Sequence, residues 1–463
     1  MTAGGAHGDA VRRTGRRFAL WLSLICAVGL GVRIAFVLLL RQPHMPFPGD
    51  SFIYSASANL VADGKGFVEP FSGLLTRHTV PTASHPPLYI LWLAVAAFVD
   101  PRSNTSQLTF VLWSCVLGTG TIALCGLAGR EIAGDVAGLF AGALAAVYPN
   151  AWVHDGMLLS ETMALFTAAG VLLFAYRFWR RPSVWRAVWL GVWCGAMALA
   201  RSELLLAAAL VLVPLLLFAP RETWARRLRW FGAGVAATAI VLAPWLISNA
   251  VRFEKPVFLS TNFGPTLAAS NCRTTYYGRY IGFKSYDCSS ALDRKVAREH
   301  PAWASGDESV RDDLLRAEAA KYIRAHASRV PLVVLARVGR ILGVFQPFQE
   351  VGVDHLLYEQ ARMVTVSLVV SFWILGAIAV VGGVVLRRRG VPVWPTLAVP
   401  VAVVIAVALT FGQLRYRAPA EASVIVLAAV ALEAGFQRWR SAVARTAGAE
   451  PEPIEPVPVV SSG

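Results

Sequence analysis

The chain has 463 residues, 56% of them hydrophobic and only 15% charged. Soluble domains carry about 25% charged residues, so the composition excludes an ordinary soluble protein. The formal charge of +15 falls in short arginine runs between apolar blocks, which excludes a continuous nucleic-acid face and marks the cytoplasmic loops of a polytopic membrane protein.

Arg12, Arg13, Arg16 and Arg17 belong to a cytoplasmic N-terminal arm, residues 1–17. Phe18–Leu40 is an apolar block broken only by Arg33. As a helix it reaches roughly 34 Å, enough for a hydrocarbon core of about 30 Å. It is too long for a signal peptide and lacks a small-residue cleavage site, so it is predicted to be a retained helix running outward. Residues 41–106 form a first outer loop, in which Leu88–Val99 is too short to span and is expected to be interfacial or re-entrant. Gln107–Ala128 returns, Asp135–Tyr148 goes out, and Met157–Phe178 comes in to Arg177, Arg180, Arg181 and Arg186.

Val184–Ala200 goes out, Leu204–Phe218 returns to Arg226, Arg227 and Arg229, and Trp230–Ile247 goes out again. A second outer loop, 248–362, carries Cys272 and Cys288. Their setting admits either a disulfide, contributing about 3 kcal/mol, or two unrelated thiols. Within it, Val330–Phe345 carries Arg337 and Arg340 and is expected to lie at the interface. Met363–Leu386, Val391–Phe411 and Ala418–Phe436 follow, with Arg387, Arg388, Arg389, Arg438 and Arg440 inside. Residues 437–463 are expected to be a cytoplasmic, largely disordered tail. The expectation is an all-α helix bundle, 18–436, with about ten crossings, short interfacial helices in its outer loops, and both termini cytoplasmic. No internal repeat is evident, which disfavours transporter folds built from repeats.

Asp50 follows directly on the first helix. Partial desolvation at the membrane–water boundary would raise its basicity and suit it to general-base work; the alternative is a helix N-cap. Asp50 with Tyr54, the Gly64-Lys65-Gly66-Phe67 turn and the Pro86-Pro87-Leu88-Tyr89 helix start resemble the glycosyltransferase family 39 superfamily. That superfamily includes the protein O-mannosyltransferases, the lipid A aminoarabinose transferases and the bacterial transferases of lipopolysaccharide cores. The resemblance continues through Leu159-Ser160-Glu161-Thr162, Ala200-Arg201-Ser202-Glu203, Pro244 to Asn249, Leu259 to Gly264, and Arg415-Tyr416-Arg417-Ala418-Pro419. It implies a GT-C fold, a polyprenyl-phosphate-linked sugar donor, an extracytoplasmic acceptor, and a catalytic role for Asp50. The absence of a Rossmann-type glycine-rich turn agrees. A lipid-linked sugar flippase is the rival from another class.

Glu161, about one turn inside its helix, is costly in a membrane; it would position the acceptor or a metal ion, or pair with an arginine such as Arg201. Arg201, Arg415 and Arg417 sit at outer turns, against the positive-inside pattern. Guanidinium groups suit a departing lipid phosphate; headgroup contact is the alternative. Tyr54, His85, Tyr89, Asp155 and Tyr416 are candidate substrate contacts, although Asp155 and His154 also read as solvated loop residues. Glu69, His78 and His85 are scattered candidates for a divalent metal. No cofactor is otherwise implied, and the expected partners are the donor lipid, the acceptor and membrane lipids.

Overall fold

A computed structural model describes residues 3–42, 45–75, 79–99, 106–218, 222–358 and 360–446. Backbone groups in lipid must bond within their own segment, and the described residues are accordingly helical apart from turns and one bridge between Val68 and Pro81. Helix α1 (Ala3–Phe36) continues through a π turn, Val37–Arg41, so most of the expected N-terminal arm is the start of this helix. The segment expected to be the first outer loop carries α2 (Asp50–Ala62), α3 (Pro70–Leu75) and α4 (Pro87–Val99). Then come α5 (Gln107–Ala133), α6 (Asp135–Val147) and α7 (Pro149–Trp152). Next are α8 (Glu161–Arg180), α9 (Val184–Ala200), α10 (Leu205–Leu217) and α11 (Trp224–Arg252).

The second outer loop folds into α12 (Phe263–Ser270), α13 (Arg273–Tyr276), α14 (Tyr286–Glu299), α15 (Ala302–Ser305), α16 (Glu308–Ala325), α17 (Val330–Ile341) and α18 (Pro347–Tyr358). The chain ends with α19 (Arg362–Arg388), α20 (Trp394–Leu409) and α21 (Ala418–Thr446). Residues 437–446 continue α21, and 447–463 lie outside the described residues.

The chain is a multi-pass membrane protein. Among the described residues, six helical stretches are long and apolar enough to cross: Gly15–Arg41, Gln107–Ala133, Glu161–Arg180, Trp224–Arg252, Arg362–Arg388 and Leu414–Thr446. Asp135–Val147 with Pro149–Gly156 makes a seventh if that pair, bent by 72°, is one span. The bend falls where Tyr148 leaves the helix ahead of Pro149, which cannot donate a backbone bond. The expected figure of about ten requires the shorter apolar helices α9, Ser202–Leu217 and α20 to cross as well.

Lipid tails are as apolar as leucine, so helices associate in membranes through close packing of small residues. A Cβ on Gly191 of α9 would lie 2.1 Å from the Gly234 carbonyl of α11. One on Gly382 of α19 would lie 1.8 Å from the Leu427 carbonyl of α21. Of these helices, α9 runs into Arg201 and α21 follows directly on Arg415, Tyr416 and Arg417.

One expectation about charged groups is corrected. Asp155 and His154 are buried, not solvated. Asp155 accepts from Arg33 Nε at 2.7 Å, and the same guanidinium donates to the carbonyls of Gly29 and Ala145. The arginine that interrupts the first span thus ties α1 to the α7–α8 corner. On the helix expected at the interface, Arg337 and Arg340 turn inward and are buried. Arg337 donates to Ser270 O at 2.8 Å and Ala408 O at 2.8 Å, while Arg340 pairs with Glu350 at 3.0 Å and donates to Ile281 O at 2.8 Å. An amphipathic pattern shows that a polar face needs partners, and here protein supplies them in place of headgroups.

Candidate active site

Asp50 opens α2 after Gly49, whose φ of +65° is a conformation that favours glycine. The Ser51 hydroxyl donates to Met157 O at 2.7 Å and fixes this helix start against the corner leading into α8. On that corner, buried Leu158 adopts a φ of +53°, rare for a branched residue and a form of strain found at functional sites. Ser160 and Glu161 follow at the N-terminus of α8.

Five charged groups converge here. Arg415 Nη2 donates to Asp50 Oδ2 at 2.8 Å, and its Nε lies 3.6 Å from Glu161 Oε1. Arg201 donates from Nη1 to Glu161 at 2.8 Å and from Nε to Glu203 at 2.5 Å. Its guanidinium stands 4.6 Å from the centre of the Tyr416 ring. Glu161 is therefore the partner of Arg201 foreseen as one alternative, and it also faces Arg415.

These residues line a cavity of about 690 Å³ together with Tyr54 and His85. The Tyr54 ring meets His85 edge-on at 4.8 Å. One wall of the cavity is apolar, with Leu205, Leu206 and Ala209 from α10 facing Val403, Ala406 and Val407 from α20. The Asp50 side chain keeps 38% of its surface accessible, so it is open to a ligand.

Burial pushes the Asp50 carboxyl up, but Arg415, with help from His85 and Lys284, outweighs it and holds the group below the usual carboxylate range. This reverses the expected gain in basicity, because a boundary carboxylate beside a guanidinium is stabilised as the anion. Burial depresses His85; Asp50 opposes this, and Arg201 and Arg415 add to the lowering.

Some candidates sit elsewhere. Arg417 is buried, donates to Glu421 at 2.5 Å, Asn150 at 2.8 Å and Ile341 O at 2.7 Å, and stacks 3.6 Å over Phe372. Its donors are committed to the bundle, so it is an anchor rather than a phosphate ligand. Asp155, engaged by Arg33, does not line the cavity. Tyr89 packs behind Tyr54 at 5.2 Å with its hydroxyl 2.9 Å from Ser114.

Glu69 accepts from the backbone N–H groups of Phe71 and Ser72, at 3.1 and 2.5 Å, capping α3. It forms no cluster with His85 among the described residues, and His78 lies outside them. Cys272 and Cys288 form a disulfide with a Cα separation of 6.1 Å, closing α12–α14 of the outer layer. Sequence reasoning missed Lys284, which stands near the rings of Phe411 and Tyr286 at 5.2 and 5.1 Å. Burial and then Arg415 depress its ammonium. No local pattern around Lys284 announces this placement.

No family model matches the chain, and no curated protein matches it in sequence. Solved structures do resemble it. One is the archaeal oligosaccharyltransferase AglB from Archaeoglobus fulgidus in complex with an inhibitory peptide and a dolichol-phosphate. It has TM-score 0.56 and 15% identity, covering 95% of this chain and 53% of that one. The same enzyme tethered to an acceptor peptide gives TM-score 0.55 and 15% identity, over 94% and 52%. ArnT from Cupriavidus metallidurans bound to undecaprenyl phosphate gives TM-score 0.42 and 15% identity, over 89% and 77%. The chain spans about half the length of AglB. Its fold is the GT-C helix bundle that the resemblance in sequence implied.

Proposed function

We propose that the chain is a membrane glycosyltransferase that moves a sugar from a polyprenyl-phosphate donor to a hydroxyl of an extracytoplasmic glycan, glycolipid or protein. The observation that carries this reading is the continuity of one cavity, charged at Asp50, Glu161, Arg201 and Arg415 and apolar between α10 and α20. A ligand with a phosphate at one end and a hydrocarbon chain at the other matches both walls. AglB, which has this fold, has been solved with a dolichol-phosphate.

Arg415 and Arg201 take the phosphate, and Glu161 positions both guanidiniums. When the phosphate draws Arg415 toward itself, Asp50 loses its principal counter-ion and regains basicity. Asp50 then accepts the acceptor's hydroxyl proton. The acceptor oxygen bonds to the anomeric carbon as the bond from that carbon to the phosphate oxygen breaks, and polyprenyl phosphate departs with the electron pair. A single displacement inverts the anomeric centre. Four carboxylates line the cavity, Asp50, Glu161, Glu203 and Asp312, and the first three already face Arg201 or Arg415.

The test is transfer by the purified chain from a panel of polyprenyl-phosphate sugars, read as released polyprenyl phosphate. Asp50→Asn is expected to lower turnover by about 10²–10⁴-fold with the fold intact. Turnover close to wild type in that variant rejects Asp50 as the base, and transfer from a nucleotide sugar alone rejects the donor class.

A further inference from the structure

A second cavity, of about 370 Å³, opens at the opposite end of the bundle. It is formed where the last turns of α19 meet the last turns of α21, and its charged lining is Arg388, Arg389, Arg438 and Arg445. Along α21 it lies roughly 30 Å from Arg415, so it shares nothing with the candidate active site.

Four guanidiniums around one cavity repel each other unless an anion sits among them. Protein supplies one carboxylate: Glu433, buried, pairs with Arg389 at 2.6 Å. Among the described residues, no ion pair joins Arg388, Arg438 or Arg445 to an acidic side chain. Gln437 and Ser441 add neutral hydrogen-bonding groups, and Val385 and Ala434 make the wall on the bundle side. Outward from the cavity α19 presents Val380, Val381 and Val384, all exposed, and α21 presents exposed Trp439. Exposed tryptophan beside arginine at the end of an apolar span marks the headgroup level of a bilayer. Arginines serving only as topology markers would need no shared cavity.

We propose that this cavity binds the phosphate of an anionic glycerophospholipid, with the acyl chains lying along the valine face of α19. Basic pockets between spanning helices on the cytoplasmic side suit phosphate-bearing headgroups.

The experiment uses the full chain in mixed micelles of phosphatidylglycerol and phosphatidylcholine, with retained lipid measured by mass spectrometry after purification. Wild type is expected to retain phosphatidylglycerol in excess of its share of the micelle. Arg388→Gln with Arg438→Gln should cut that enrichment by about thirtyfold, since each arginine near an anionic surface contributes about 1 kcal/mol. Arg226→Gln with Arg229→Gln removes the same charge from exposed positions at the start of α11 and should leave the enrichment intact. Equal loss in both double variants shows diffuse attraction and overturns the site, as does absence of enrichment in wild type. Complete displacement by inorganic phosphate assigns the cavity to free phosphate and also overturns it. So does enrichment that appears only after removal of residues 447–463, which carry Glu450, Glu452 and Glu455, because the acidic tail would then be the occupant. Retention of polyprenyl-phosphate transferase activity is read separately, so the two proposals fail independently.

Discussion

The most consequential contact at the scale of single residues is Arg33 with Asp155. In sequence the arginine is only an interruption in an apolar block, and the aspartate looks like a loop residue. Their pairing at 2.7 Å, with both side chains buried, joins positions 122 residues apart. Removing one member leaves the other charged in a dry site, a loss of about 3–5 kcal/mol for buried pairs. Arg33→Met should therefore lower thermal stability sharply, and Arg33→Met with Asp155→Leu should recover most of it, as read by melting in detergent. That Asp50, Glu161, Arg201 and Arg415 belong together was legible because each breaks a pattern: a carboxylate beside an apolar run, or an arginine outside the expected basic runs. Arg417 breaks the same pattern for another reason, since a buried anchor and a ligand-facing arginine look alike in one dimension.

Among elements, the outer segments between α11 and α19 were the least legible. Their length and polarity marked a loop, but periodicity could not tell that α17 packs on protein. Its buried arginines find carbonyls of α12, α20 and the Gly278–Gly282 turn, partners that only the fold brings together. Helix α18 adds a pH response. Burial lifts the Asp354 carboxyl to about 7 against the lowering influence of Arg415. The folded chain then holds a proton that an unfolded aspartate releases near pH 4. The Asp354 contribution to stability should fall as pH rises from about 4 to about 7. Burial and the neighbouring Asp354 also lift the Glu350 carboxyl on the same helix, to about 8. Asp354→Asn imitates the protonated form and should reduce, without abolishing, the slope of the melting temperature between pH 5 and pH 8. An unchanged slope in this variant would place the response elsewhere.

For the molecule as a whole, the GT-C architecture was readable because lipid imposes long apolar runs, which the sequence displays in order. The shorter apolar helices carry no such length signal, which is why α4, α9 and α20 are hard to tell apart as spanning or not. The two cavities lie at opposite ends of α21: one holds carboxylates against guanidiniums beside an apolar wall, the other gathers guanidiniums around an opening. The first is the basis of the functional assignment, and its claim is that Arg415 exchanges a carboxylate for a lipid phosphate.

That exchange is tested by titrating a polyprenyl phosphate into the purified wild-type and Arg415→Gln proteins and measuring affinity. Loss of a charge-assisted contact costs about 2–5 kcal/mol, so binding should weaken by at least about tenfold while the variant remains monodisperse. Equal affinity in the two proteins would contradict the account.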